Sequence, residues 1–220
     1  MNIGQSPWGR ERDIEDSSIN QGGAPVDAII RAMIVVLLCA FCALPARAGG
    51  DIAAEPERVR GGGWISELKI GALAHDVPYM WSGFNKERYG VDLNLEVLFA
   101  PYLTLWGGTI HPVIGGTANF NGDTGKAYFG SRWQWDYPSN WFFALGLAIA
   151  VHSGSDESYT IEPDRKLLGR RVLFHDSIEI GYRYDYHRSL SVYFEHISNA
   201  STASKNQGLD AIGLRYGYRF

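Results

Sequence analysis

The sequence predicts an all-β fold, an eight-stranded antiparallel transmembrane β-barrel, and three observations carry that prediction. Apolar and polar residues alternate with period two through most of the stretch from Trp64 to Phe220. The polar faces mix small residues with charges of both signs, while the apolar faces carry bulky aromatics near strand ends. An apolar run of export-signal length precedes the whole pattern.

That run, Ala32 to Leu44, follows a polar, aperiodic lead and Arg31, and ends at Pro45-Ala46-Arg47-Ala48, a small-x-small cleavage site. About a dozen residues suit a signal peptide, whereas a membrane-spanning helix needs about twenty. The expected organisation is a signal peptide with a polar extension over 1–48, a periplasmic segment over 49–63, and a barrel domain over 64–220. Both cysteines, Cys39 and Cys42, lie inside the signal run. The exported part therefore has no thiol for a disulfide, a nucleophile or a Cys-type zinc site. A net charge of -4 gives no footprint for nucleic acid. No metal ligand set and no cofactor motif stands out.

The strands follow in order. In the first, Trp64, Ser66, Leu68, Ile70, Ala72 and Ala74 oppose Glu67, Lys69 and His75. In the second, Val91, Leu93, Leu95, Val97 and Phe99 oppose Asp92, Asn94 and Glu96. A glycine-rich third runs from about Leu105 to Asn119. The fourth sets Phe129, Trp133 and Trp135 against Tyr128, Arg132 and Gln134. The fifth alternates from Trp141 to Val151, and the sixth sets Phe174, Ile178, Ile180, Tyr182 and Tyr184 against His175, Glu179 and Arg183. A C-terminal hairpin supplies the last two.

A soluble sandwich would turn its apolar faces to a core and its charges to water. Charges of both signs on faces otherwise lined by small residues suit a narrow lumen, where they must pair. An even strand count closes the barrel without an edge. The longer connections, Asp76–Gly90, Phe120–Gly125, His152–Gly169 and Asn199–Gln207, alternate with short ones, which places them at the extracellular end. About eight strands enclose only packed side chains, which makes a porin the least expected function.

In the terminal hairpin, His196 and Ser198 share parity with Leu190, Val192 and Phe194, and Asp210 shares it with Ile212 and Leu214. If His196 lies opposite Asp210, a nucleophile, a base and an acid meet on the apolar face near its outer end. Polar groups in a lipid-facing register are costly unless they serve one another.

The segment His196-Ile197-Ser198-Asn199-Ala200, followed by Asn206-Gln207-Gly208 and an acid before the last strand, resembles the PagL-type lipid A 3-O-deacylases. The opening Glu67-Leu68-Lys69-Ile70-Gly71-Ala72-Leu73-Ala74-His75-Asp76 is similar to that family's beginning. The resemblance implies Ser198 as nucleophile, His196 as general acid/base and Asp210 as the acid, where the family commonly has Glu. It also implies Asn199 and Asn206 as oxyanion or site-supporting residues, and no metal. Its substrate would be lipid A of the outer leaflet, with Lys86, Arg88 and Lys205 as phosphate partners, joined less directly by Arg165, Lys166, Arg170 and Arg171. Tyr79, Trp81 and Phe84 read as interfacial anchors. The terminal Phe220 suits insertion by the barrel-assembly machinery, and the sequence leaves a homodimer open. The competing functions are an esterase acting on other outer-membrane lipids and a non-catalytic structural barrel.

Overall fold

The computed structural model describes residues 63–84, 86–88, 90–100, 102–156 and 164–220. The expected signal segment, 1–48, and all but the last residue of the expected 49–63 segment lie outside the described residues.

Nine strands form among the described residues: β1 (Ile65–Ala74), β2 (Val91–Phe99), β3 (Leu103–Leu105), β4 (Gly108–Asn119), β5 (Lys126–Asp136), β6 (Trp141–His152), β7 (Val172–Arg183), β8 (Arg188–Ser198) and β9 (Leu209–Arg219). All eight long strands pair antiparallel with both neighbours, and closure comes from β1 on β9, Ala74↔Ile212 to Glu67↔Arg219, and β2 on β4. The result is a closed barrel whose long strands have no free edge.

One strand departs from the expected pattern. The predicted third strand is split, because Leu105 belongs to the short β3 and the long β4 begins only at Gly108. Trp106 and Gly107 between them both take positive φ, 47° and 75°, which is the conformation of a two-residue hairpin turn. Indole N–H groups hold this hairpin on the wall: Trp133 Nε1 donates to Leu105 O and Trp135 Nε1 to Trp106 O, each at 3.1 Å. It belongs to the aromatic belt at the short-turn end of the barrel.

The two faces are sorted as the alternation requires. Leu147, Ile149, Val192 and Leu214 are exposed on the outside, while Glu67, Lys69, Asp92, Glu96, Arg132, Glu179, Arg183 and Arg215 are buried inside. The buried charges pair across the lumen, as burial demands. Glu179 accepts from Lys69 Nζ at 3.1 Å and also from Arg132 and Ser191. Arg215 reaches Glu96 at 2.6 Å, and Arg183 joins Glu67 at 3.4 Å to Asp136 at 3.0 Å. Toward the other end Glu195 meets Lys126 at 2.7 Å and His175 at 3.1 Å, with Tyr128 stacked on the His175 ring. Above these groups Leu168, Ile197 and Leu209 form part of a buried apolar cluster.

The long connections meet at one end. His75 bridges Asp92 at 2.9 Å and Glu87 at 3.0 Å. Glu87 in turn accepts from Thr124 Oγ1 at 2.8 Å and from the Lys166 backbone N–H at 3.2 Å. The β1–β2, β4–β5 and β6–β7 connections are thereby tied into a single cap.

Candidate active site

The site grows from the register of β8 on β9. His196 is the direct cross-strand partner of Asp210, and the next pair is Ile197↔Leu209. Period two turns Phe194, His196 and Ser198 outward at the capped end of β8, and Asp210 outward at the start of β9. Asp210 Oδ1 lies 2.5 Å from His196 Nδ1. An acidic acceptor at Nδ1 assigns the ring hydrogen to that nitrogen and leaves Nε2 as the basic one. Nε2 has no hydrogen-bond partner among the described residues.

The pair is sheltered. Asp210 is fully buried and the His196 side chain is 12% exposed, although both belong to the outward face. The β1–β2 connection shields them: Val77 N–H donates to the Asp210 carbonyl at 3.0 Å, and Trp81 lies edge-on to His196 at 5.4 Å and to Phe194 at 5.2 Å. Ser82 donates to Asp210 Oδ2 from its backbone N–H at 2.7 Å and from its hydroxyl at 2.8 Å. Trp81, expected as a membrane anchor, thus packs on the imidazole. Ser82 and its contact with Asp210 had no counterpart in the sequence reading, because a loop carries no period.

Ser198 ends β8 half-buried, and its hydroxyl makes no hydrogen bond among the described residues. Beyond it the chain turns sharply. Ala200 and Ser201 take φ of 50° and 61°, and Thr202 donates to the Asn199 carbonyl through N–H at 3.0 Å and Oγ1 at 2.7 Å. Such backbone positions persist where the surroundings over-determine them. Asn199 is the clamp: its Nδ2 donates to Leu168 O at 2.7 Å and Lys205 O at 2.5 Å, and its backbone N–H donates to Asn206 Oδ1 at 2.9 Å. Both Nδ2 hydrogens of Asn199 are therefore committed to backbone. Asn206 holds on through its oxygen, which leaves its NH₂ end available.

Asp176 is a second outward carboxylate, the cross-strand partner of His196 on the β7 side. The signal for it in the sequence is parity: Asp176 stands between Phe174 and Ile178 on the outward face of its strand.

The cations divide. Arg88 and Lys205 are exposed and Lys86 is half-buried, all in the capping connections. Lys166 is different: its ammonium is buried and pairs with Asp76 at 2.6 Å, so it belongs to the cap's interior and not to its surface. Arg170 donates to Thr202 O and Arg171 pairs with Asp156. No cluster that could hold a metal ion occurs among the described residues.

The arrangement has the parts of a hydrolase acting by a serine nucleophile: an oriented imidazole with a free basic nitrogen, a buried acid behind it, and a hydroxyl two residues along the same face. A family model described as lipid A 3-O-deacylase (PagL) matches residues 70–219, from β1 to the end of β9. Among solved structures, the chain is similar to one described as the outer membrane enzyme PagL, with 17% identity and a TM-score of 0.51, over 69% of this chain and 99% of that one. Neisserial surface protein A also matches, at 10% identity and a TM-score of 0.46, over 71% of this chain and 97% of the other. No curated protein matches.

Proposed function

The chain belongs to the PagL family of lipid A 3-O-deacylases, barrels of the Gram-negative outer membrane, and from that premise we propose that Ser198, His196 and Asp210 hydrolyse the ester of the 3-hydroxyacyl chain at the 3-position of lipid A. The supporting observation is the His196–Asp210 pair at 2.5 Å on the outward wall, beside the capping connections. A substrate anchored in the outer leaflet presents its ester at that depth, and its acyl chain lies along the apolar wall below.

In this reaction His196 Nε2 takes the Ser198 proton as Oγ attacks the ester carbonyl carbon. Asp210 stabilises the resulting imidazolium through Nδ1–H. The tetrahedral oxyanion collapses, His196 hands its proton to the departing sugar oxygen, and the 3-position alcohol leaves. Water, deprotonated by His196, then attacks the acyl-serine, and Ser198 leaves with the proton returned by His196. A free 3-hydroxy acid departs. The Asn206 NH₂ end is the oxyanion donor in this scheme, and Asn199 holds the loop that presents it. Lys86, Arg88 and Lys205 meet the lipid A phosphates. Export by the 1–48 segment and insertion by the barrel-assembly machinery through Phe220 complete the proposal.

The test is mass spectrometry of lipid A from cells expressing the chain beside Ser198→Ala. Loss of one hydroxyacyl group with the unmutated chain alone is expected. Intact lipid A in cells holding the folded, unmutated barrel would refute the assignment.

A further inference from the structure

Lys166 and Ser82 lie outside the strands, and neither enters the chemistry above. The buried Lys166 ammonium has three hydrogens and three acceptors: Asp76 Oδ1 at 2.6 Å, Phe84 O at 2.8 Å and Ser82 Oγ at 3.2 Å. Because the ammonium donates to Ser82 Oγ, the hydroxyl hydrogen must point elsewhere. Its acceptors are Asp210 Oδ2 at 2.8 Å and Phe84 O at a marginal 3.5 Å, so it goes to Asp210. The Ser82 backbone N–H reaches the same oxygen. One carboxylate oxygen thus receives two donors from the first connection, and the other is left to face the imidazole.

We propose that Lys166 and Ser82 are positioning residues of the hydrolase: Lys166 donates to Ser82 and Ser82 to Asp210, a relay that fixes the plane of the acid facing His196 from outside the barrel wall. The proposal rests on the triad reading above. The Asp210 carboxylate reaches Nδ1 at 2.5 Å while its second oxygen is pinned by Ser82. Two connections whose residues Ser82 and Lys166 stand 84 positions apart in the chain thereby meet at the Ser82 hydroxyl, which in turn holds Asp210. The charge on Asp210 and on Lys166 raises the worth of these hydrogen bonds above that of a neutral pair.

The experiment uses the exported chain purified in detergent. Two readouts are taken: hydrolysis of a 4-nitrophenyl ester of a 3-hydroxy fatty acid, and the rate at which a fluorophosphonate labels Ser198. Ser82→Ala, which keeps the backbone donor, is expected to lower kcat and the labelling rate roughly 10- to 100-fold with KM unchanged, the worth of one hydrogen bond to a charged group. Ser82→Thr, which restores the hydroxyl, is expected to recover most of both. A Lys166→Met/Asp76→Asn double variant removes the cation together with its buried counter-charge and is expected to lower both rates as well. Unmutated kcat and labelling in Ser82→Ala, or in the double variant when that is the one that folds, overturns the relay. Ser198→Ala separates the two ideas. If it is inactive while Ser82→Ala is unaffected, the relay falls and the triad stands. If Ser198→Ala hydrolyses the ester as fast as the unmutated chain, the triad falls and the relay with it.

Discussion

Gly208 lies so close to His196 that a β-carbon built on it would sit 2.9 Å from the imidazole Cε1. Its φ of +62° is also one that only glycine adopts freely. Two independent demands therefore fall on one position at the entrance to β9. Gly208→Ala is expected to displace the ring from Asp210 and to reduce ester hydrolysis strongly. The backbone strain adds a cost of about 1 kcal/mol. The measurement is kcat beside the urea midpoint, with activity falling far more than stability.

In the proposed triad Asp210 has two jobs, to orient the ring and to balance its charge, and two substitutions separate them. Asp210→Asn keeps the shape but can turn its NH₂ to Nδ1 and favour the other tautomer, so kcat is expected to fall roughly ten-thousand-fold. Asp210→Glu keeps the charge, but its extra methylene carries the carboxylate past the Ser82 donors. An intermediate rate is expected. A Glu variant as slow as the Asn variant would mean that placement matters more than charge.

The cap has its own pH window. Burial disfavours the His75 imidazolium, but its hydrogen bonds to the Asp92 and Glu87 carboxylates outweigh it and raise the group to about 9. Burial likewise works against the Glu87 carboxylate, and bonds from His75, Thr124 and Lys166 prevail, lowering it to about 2. The His75 contribution is complete below its ordinary value of 6.5 and disappears as pH rises through about 9. The Glu87 contribution is complete above its ordinary 4.5 and disappears as pH falls through about 2. The cap is therefore expected to be tightest between 4.5 and 6.5 and to loosen toward alkaline pH. Protease nicking of the long connections against pH measures this, and His75→Asn should abolish the alkaline change.

Glu179 is the hub of the lumen, shared by Lys69, Arg132 and Ser191. Glu179→Ala strands buried cations and is expected to cost about 3–5 kcal/mol, whereas Glu179→Gln loses the charge and one of the two acceptor oxygens but keeps the other with the side-chain volume, and is expected to cost less. Heat-induced loss of the compact gel form ranks the two.

The parts of this fold that could be read from the sequence are those governed by strand periodicity. Parity alone sent Glu67, Lys69 and Arg215 inward and Leu147 and Leu214 outward, and it put His196 and Asp210 on one face, while the register that sets them opposite each other is seen only in the structure. Departures occur where the chain leaves the strands. Nothing in Trp106-Gly107 distinguishes a hairpin from a continuing glycine-rich strand until both residues are seen at positive φ. Lys166 read as one more loop cation, because burial beside Asp76 depends on a loop path that has no sequence period. Ser82 was invisible for the same reason. Its partner Asp210 lies 128 residues away and is brought near by closure of β1 on β9.

His196 and Ser198 open sideways, through the wall, and not toward the water above the barrel. An enzyme with such a site meets its substrate in two dimensions, so the relevant concentration is a mole fraction in the leaflet. Adding inert detergent at constant total lipid A should slow the reaction by surface dilution, although bulk molarity has not changed. Crowding the leaflet with lipid A should saturate the enzyme even when hardly any substrate is dissolved.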